Sequence, residues 1–234
     1  MMVTNIEQQL REYATPEKKE FLPHYFKTGK GEYGEGDLFL GVVVPDIRKV
    51  AKANLHLSLP EIQESLHNKY HECRLCSLLI LVEKFKQAKK NETEKKEIFN
   101  FYLSNTSYIN NWDLVDLSAK EIIGGYLEDK DRSVLYRLAD SSNLWEQRIS
   151  VIATFAFIKK NDFSDVLSLS EKLLHHKHDL IHKAVGWMLR EVGKQDKLFL
   201  IRFLDRHHKV MPRTMLRYSL EKLSAEERSF YMKK

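Results

Sequence analysis

Apolar residues recur along this chain three and four positions apart, one stripe after another, the spacing of one face of a helix. Stripes follow Arg74 (Leu75 to Phe85), Asp116 (Leu117 to Ile123), Arg148 (Ile149 to Ile158) and Lys183 (Ala184 to Leu189). Arg213 opens a fifth through Met215, Leu216 and Leu220. Amphipathic stretches lie between them: Glu97 to Leu103, Ser133 to Ala139, Val166 to Leu174 and Phe199 to Leu204. No segment alternates polar and apolar for long between turn residues, so strands are not predicted. Breakers are scarce too. Prolines stand only at 16, 23, 45, 60 and 212, and between 61 and 211 the only glycines are 124, 125, 186 and 193.

The residues heading the stripes are 42, 32, 35 and 30 positions apart. Helix pairs at such intervals cannot close their own cores, so neighbours stack and leave a concave face. The expected fold is all-α, an α-solenoid of HEAT-like repeats, with residues 1–234 forming a single domain. The N-terminal part differs. Helical patterns run over Asn5 to Tyr13 and Pro16 to Phe26, with Thr15 as N-cap and Pro16 at the first helical position. Five of the nine glycines then fall between Gly29 and Gly41, which predicts a loop.

Composition narrows the class. Apolar residues make up 43% and charged residues 30%, which suits a globular protein and excludes general disorder. The longest apolar run, Leu75 to Val82, is broken by Ser77 and falls well short of the roughly 18 residues of a membrane span. The first seven residues lack the basic-then-apolar layout of a signal peptide, and two cysteines make no disulfide framework. A soluble, cytoplasmic monomer is expected, with no membrane and no obligate protein partner.

Charge changes the picture. Residues 172–234 carry 15 Lys and Arg against 7 Asp and Glu, while residues 1–171 carry 23 against 26. Six of the ten histidines also fall in the C-terminal part. A basic face on a near-neutral scaffold suits a polyanion, nucleic acid or a membrane surface, although a solvated helical surface reads the same way.

Three motifs invite a chemical reading. Gly29, Gly31 and Gly34 have dinucleotide-loop spacing, but a helix precedes them and Leu38 to Val42 follows, so an ordered connector is expected. Cys73 and Cys76 have a zinc-pair gap without a second pair, and His67 and His71 complete no recognised spacing; small packing residues are expected. His175, His176, His178 and His182 cluster, with no carboxylate between them as in metalloprotease motifs. A polar helix start or a phosphate-facing loop is expected there. No metal and no cofactor are expected.

The tryptophans carry more. Trp112 stands four residues before Asp116, Trp145 three before Arg148 and Trp187 four after Lys183, each about one helical turn. Ring faces, a carboxylate and a guanidinium near one concave surface form a useful set for nucleic acid. The alternative is that the tryptophans are core and that Asp116 pairs with Arg148 as a buried ion pair.

At these residues the chain resembles the DNA alkylation repair family, the AlkD-like alkylpurine DNA glycosylases built from HEAT-like repeats. The likeness spans roughly residues 5–222. Tyr25 to Val42 followed by Pro45 and Arg48 resembles the family's N-terminal signature. Asn111-Trp112-Asp113-Leu114-Val115-Asp116 resembles its Trp-Asp-x-x-Asp segment. Leu144-Trp145-Glu146-Gln147-Arg148 resembles its Trp-x-x-Arg segment, and Lys183 to Glu191 its Lys-Ala-x-Gly-Trp-x-Leu-Arg-Glu helix. The resemblance implies a repair enzyme that hydrolyses the N-glycosidic bond of cationic alkylated purines in duplex DNA, without metal, cofactor or covalent intermediate. It implies the catalytic set Asp116, Trp112, Trp187 and Arg148, and a concave DNA-binding face. DNA contacts are expected from Arg148, Lys183, Arg190, Arg213 and Tyr25, and the protein is expected at the nucleoid when bound. Some relatives lose catalytic positions, so the alternative is a non-catalytic HEAT-repeat scaffold or a reader of DNA structure.

Overall fold

In a computed structural model, which describes residues 6–233, the protein is all-α and of the α-solenoid class, as the stripes predict. The expected start of the first helix at Asn5 lies outside the described residues, and no strand occurs among those described. The chain forms two compact units, residues 1–118 and 119–234.

The first unit holds α1 (Ile6–Arg11), α2 (Pro16–Tyr25), α3 (Val44–Ala53), α4 (Leu59–Leu66), α5 (His71–Gln87), α6 (Glu92–Ser104) and nearly all of α7 (Trp112–Ala119). The Thr15 hydroxyl accepts the backbone N–H of Lys18 at 3.3 Å, and Pro16 opens α2, as expected. The stripe after Arg74 is α5. It is buried on nearly every side from His71 to Val82, and α3, α4 and α6 pack on it. A helix apolar all round belongs at the centre of its unit, which is where α5 lies. The Gly29–Gly41 segment is the predicted loop, joined to the start of α5 by a β-bridge between Leu38 and Tyr70 and by bonds from Asp37 to His71 and Arg74.

In the second unit a π-turn (Lys120–Gly124) leads to α8 (Ser133–Ala139), α9 (Leu144–Ala153), α10 (Phe155–Ile158), α11 (Ser164–Lys172) and α12 (Asp179–Gln195). There follow α13 (Lys197–His207), α14 (Arg213–Ser219) and α15 (Ala225–Met232). Its centre is α12, against which α9, α10, α11, α13 and α14 pack. Ile181, Ala184, Val185, Met188, Leu189 and Val192 form its fully buried stripe. Gly186 interrupts that stripe for a steric reason: a Cβ there would meet the Met215 carbonyl oxygen at 2.5 Å, so only glycine lets α14 approach this closely. Ser224 and Glu227 form a reciprocal capping box at the start of α15.

No helix among the described residues is long and apolar enough to cross a membrane.

Candidate active site

The first unit contains a cavity of about 370 Å³. Leu22, Val42, Val43, Val44, Ile47, Leu75 and Leu117 give it apolar walls, and Tyr25, Phe26, Phe39 and Trp112 give it aromatic ones. Asp116 lines it as well, as do the buried His71, Glu72 and Asp113. The four-residue spacing of Trp112 and Asp116 puts both on the cavity side of α7, each half-buried, as the sequence reading requires. A largely apolar cavity with few polar groups is the usual form of a small-molecule site.

The aromatic residues form a connected set. Phe26 stacks on Trp112 with ring centres 5.3 Å apart and 23° between planes. Tyr25 meets Trp112 edge-on at 5.9 Å and stacks on Phe21 at 5.8 Å. Tyr25 and Phe21 are each about half exposed, 53% and 52%. On α6, burial pushes the Tyr102 phenol well above its ordinary pKa, and the charge of Asp116 adds to the shift.

Sequence reasoning missed a buried charge cluster against the same wall. His71 opens α5 and is almost wholly buried. Its Nε2 lies 2.9 Å from Oδ2 of Asp113 and its Nδ1 3.3 Å from Oδ2 of Asp37. Both ring nitrogens therefore donate, which requires the imidazolium form. Burial opposes that charge, but the carboxylate of Asp113 outweighs it with help from Asp37, and the pKa of His71 rises to about 9. Arg74 donates to Asp37 at 2.6 Å, and the Asn110 amide donates to the same carboxylate at 3.1 Å. Burial alone would raise the Asp37 carboxyl; the His71 hydrogen bond and the charge of Arg74 instead hold it below the usual carboxylate value. Phe26 and Phe39 pack on the His71 ring, each at 4.8 Å.

The glycine-rich segment is ordered by the chain's own carboxylates. Glu72 accepts the N–H groups of Leu40, Gly41 and Val42 at 3.0, 2.8 and 3.2 Å. Glu32 and Glu35 accept those of Gly29 and Gly31, each at 2.8 Å. Gly41 adopts φ +96°, a conformation other residues rarely take, and a Cβ there would strike the Thr15 carbonyl oxygen at 2.5 Å. The segment is thus the ordered connector expected. Cys73 and Cys76 are buried packing residues of α5, and burial pushes both thiols up, Cys76 to about 12.

The second unit places the other candidates as follows. Arg148 is buried on α9 and donates to the Leu180 carbonyl at 2.5 Å, tying α9 to the first turn of α12. Trp187 is half-buried; its indole N–H donates to Glu191 at 3.2 Å, and Phe155 lies 6.4 Å from it. Two further cations missed in the sequence, Lys120 and Lys159, stand 5.4 and 5.1 Å from the centre of the Phe155 ring. Lys183 pairs with Asp179 at 2.8 Å, Arg190 pairs with Glu221, and exposed Arg213 donates to the Met232 carbonyl at 3.1 Å. The histidine cluster is a polar helix start. His178 Nδ1 accepts the Leu180 N–H at 3.1 Å, His176 Nδ1 accepts the His178 N–H at 3.0 Å, and His182 donates to the His176 carbonyl. Desolvation lowers the pKa of both His176 and His178.

Comparison with known proteins bears on fold and family. One solved structure, described as a predicted DNA alkylation repair enzyme from Enterococcus faecalis, is 15% identical and superposes with a TM-score of 0.69. It covers 91% of this chain and 97% of its own, a likeness of fold. No curated protein matches in sequence. The model of the DNA alkylation repair enzyme family matches residues 6–223, nearly the whole chain, and the protein therefore belongs to that family.

Proposed function

We propose that the protein is a monofunctional alkylpurine DNA glycosylase, acting on N7-alkylguanine and N3-alkyladenine in duplex DNA. Family membership supplies DNA repair as the setting. The observation that carries the finer reading is the shared position of Trp112 and Asp116 on the wall of one largely apolar cavity.

The chemistry follows from charge. Alkylation at N7 of guanine or N3 of adenine leaves the base cationic and a good leaving group. As the bond from C1′ to nitrogen breaks, its electron pair goes to the base, which departs neutral, and positive charge grows on the deoxyribose. The Asp116 carboxylate stabilises that charge and takes the proton of the water that attacks C1′. The Trp112 ring face favours the developing cation, and Tyr25 stands at the DNA side. No general acid is needed, because the base already carries its charge. In the second unit we assign the Trp187 ring face a share in favouring the developing cation, and Arg148 a contact with a DNA phosphate. Lys183, Arg190 and Arg213 contribute DNA-backbone contacts.

The decisive experiment is release of 7-methylguanine and 3-methyladenine from methylated duplex DNA, with EDTA present, by wild-type and Asp116→Asn protein. Release by the wild type alone supports a metal-free reaction centred on Asp116. Absence of release by both, with DNA binding intact, supports a scaffold or reader of DNA structure.

A further inference from the structure

We propose that His71 is a positioning residue for the reacting side chains, its imidazole clamped between Asp37 and Asp113 so that Trp112 and Asp116 keep one arrangement on the cavity wall. This rests on the reading of the cavity as the place of base release.

Two connections run from His71 to the reacting pair. The first is through α7. One carboxylate oxygen of Asp113 faces His71 at 2.9 Å, and the other accepts the N–H of Leu114 at 2.9 Å. Asp113 follows Trp112 directly and precedes Asp116 by three residues, so the clamp sets both the rotation and the start of their helix. The second connection is through stacked rings, from His71 to Phe26 at 4.8 Å and from Phe26 to Trp112 at 5.3 Å. The loop joins the same assembly, since Asp37 faces His71, Arg74 and Asn110. His71 borders the cavity but is only 1% exposed, and both its nitrogens are engaged by Asp37 and Asp113, so it acts on the reaction through Trp112 and Asp116.

The charged groups facing His71 are Asp37 from the loop, Arg74 from its own helix and Asp113 from α7. Glu72, its chain neighbour, is held by the Leu40, Gly41 and Val42 amides. Loss of the His71 proton removes a donor from one of two carboxylates and should disturb Trp112, which adjoins that clamp.

The test labels the full-length protein with 5-fluorotryptophan and assigns the Trp112 resonance with Trp112→Phe. In the wild type that resonance should move as pH rises from 7 through about 9, while those of Trp145 and Trp187 stay fixed. In His71→Gln it should be displaced or broadened at pH 7 and no longer follow pH. Single-turnover base release should fall at least about tenfold with the Kd for DNA within about twofold. A folded His71→Gln with an unmoved Trp112 signal and wild-type release, differing only in Tm, would overturn the proposal. Where His71→Gln does not fold, the wild-type titration decides, and a Trp112 signal fixed between pH 7 and 10 overturns it. A wild type that releases no base removes the glycosylase reading, yet leaves the fluorine measurement to judge the clamp by itself.

Discussion

Trp112 and Asp116 stand one helical turn apart on α7 and share the wall of the first unit's cavity. A ring face and a carboxylate on one apolar surface suit a reaction whose charge grows on a sugar.

Substitution Asp116→Asn keeps the side chain's shape and removes its charge. Base release from methylated duplex DNA should fall at least about tenfold with DNA binding retained. Unchanged release, measured under single-turnover conditions, would take Asp116 out of the mechanism.

The buried His71 clamp makes stability depend on pH in a stated direction. The folded pKa, about 9, lies above the ordinary value of 6.5, so the contribution is complete below pH 6.5 and is lost as pH rises through about 9. The loss is on the order of 3 kcal/mol for a shift of this size. Asp37 works oppositely, since its folded pKa is lowered, and its contribution disappears only as the solution becomes strongly acidic. Thermal melts from pH 6 to 10 should show Tm falling toward pH 10, and a melt of His71→Gln should be flatter across that range.

At Gly186 the added methyl of alanine has no room beside the Met215 carbonyl. Gly186→Ala should cost about 1–3 kcal/mol by forcing α14 away from α12. Equilibrium urea unfolding measures it; a variant as stable as the wild type would show that the two helices yield without cost.

Arg148 tests two ideas at once. If it reaches a phosphate, Arg148→Ala lowers the salt slope of DNA binding by about one unit. Its bond to the buried Leu180 carbonyl adds a stability loss of about 1–3 kcal/mol, because that acceptor is deprived of this donor. Loss of stability with an unaltered salt slope would restrict Arg148 to joining α9 and α12.

Much of this was legible in the chain itself. Helical spacing and the scarcity of glycine and proline give the all-α fold, and the Thr15-Pro16 pair places the start of α2. The one-turn spacing of Trp112 and Asp116 is a local property, so it survives into the structure. The His71 clamp was not legible, because its partners lie 34 and 42 residues away and only folding brings them together. In sequence His71 looked like part of an incomplete metal spacing. Asp113 has no role of its own in the sequence reading beside Asp116, although both line the cavity and Asp113 also holds the clamp.

The glycine-rich loop has a further consequence for recognition. Three consecutive amides from Leu40 to Val42 converge on one acceptor, the kind of concavity that elsewhere captures an incoming anion. Here the anion is built in, and it is the buried carboxylate of Glu72. A phosphate from a nucleotide or a DNA strand arriving at this socket would have to evict a fixed charge with nowhere to go, so the socket is closed to competition. The glycines with the spacing of a nucleotide cradle, Gly29, Gly31 and Gly34, stand outside this socket, and the amides of Gly29 and Gly31 are likewise held by built-in carboxylates, those of Glu32 and Glu35.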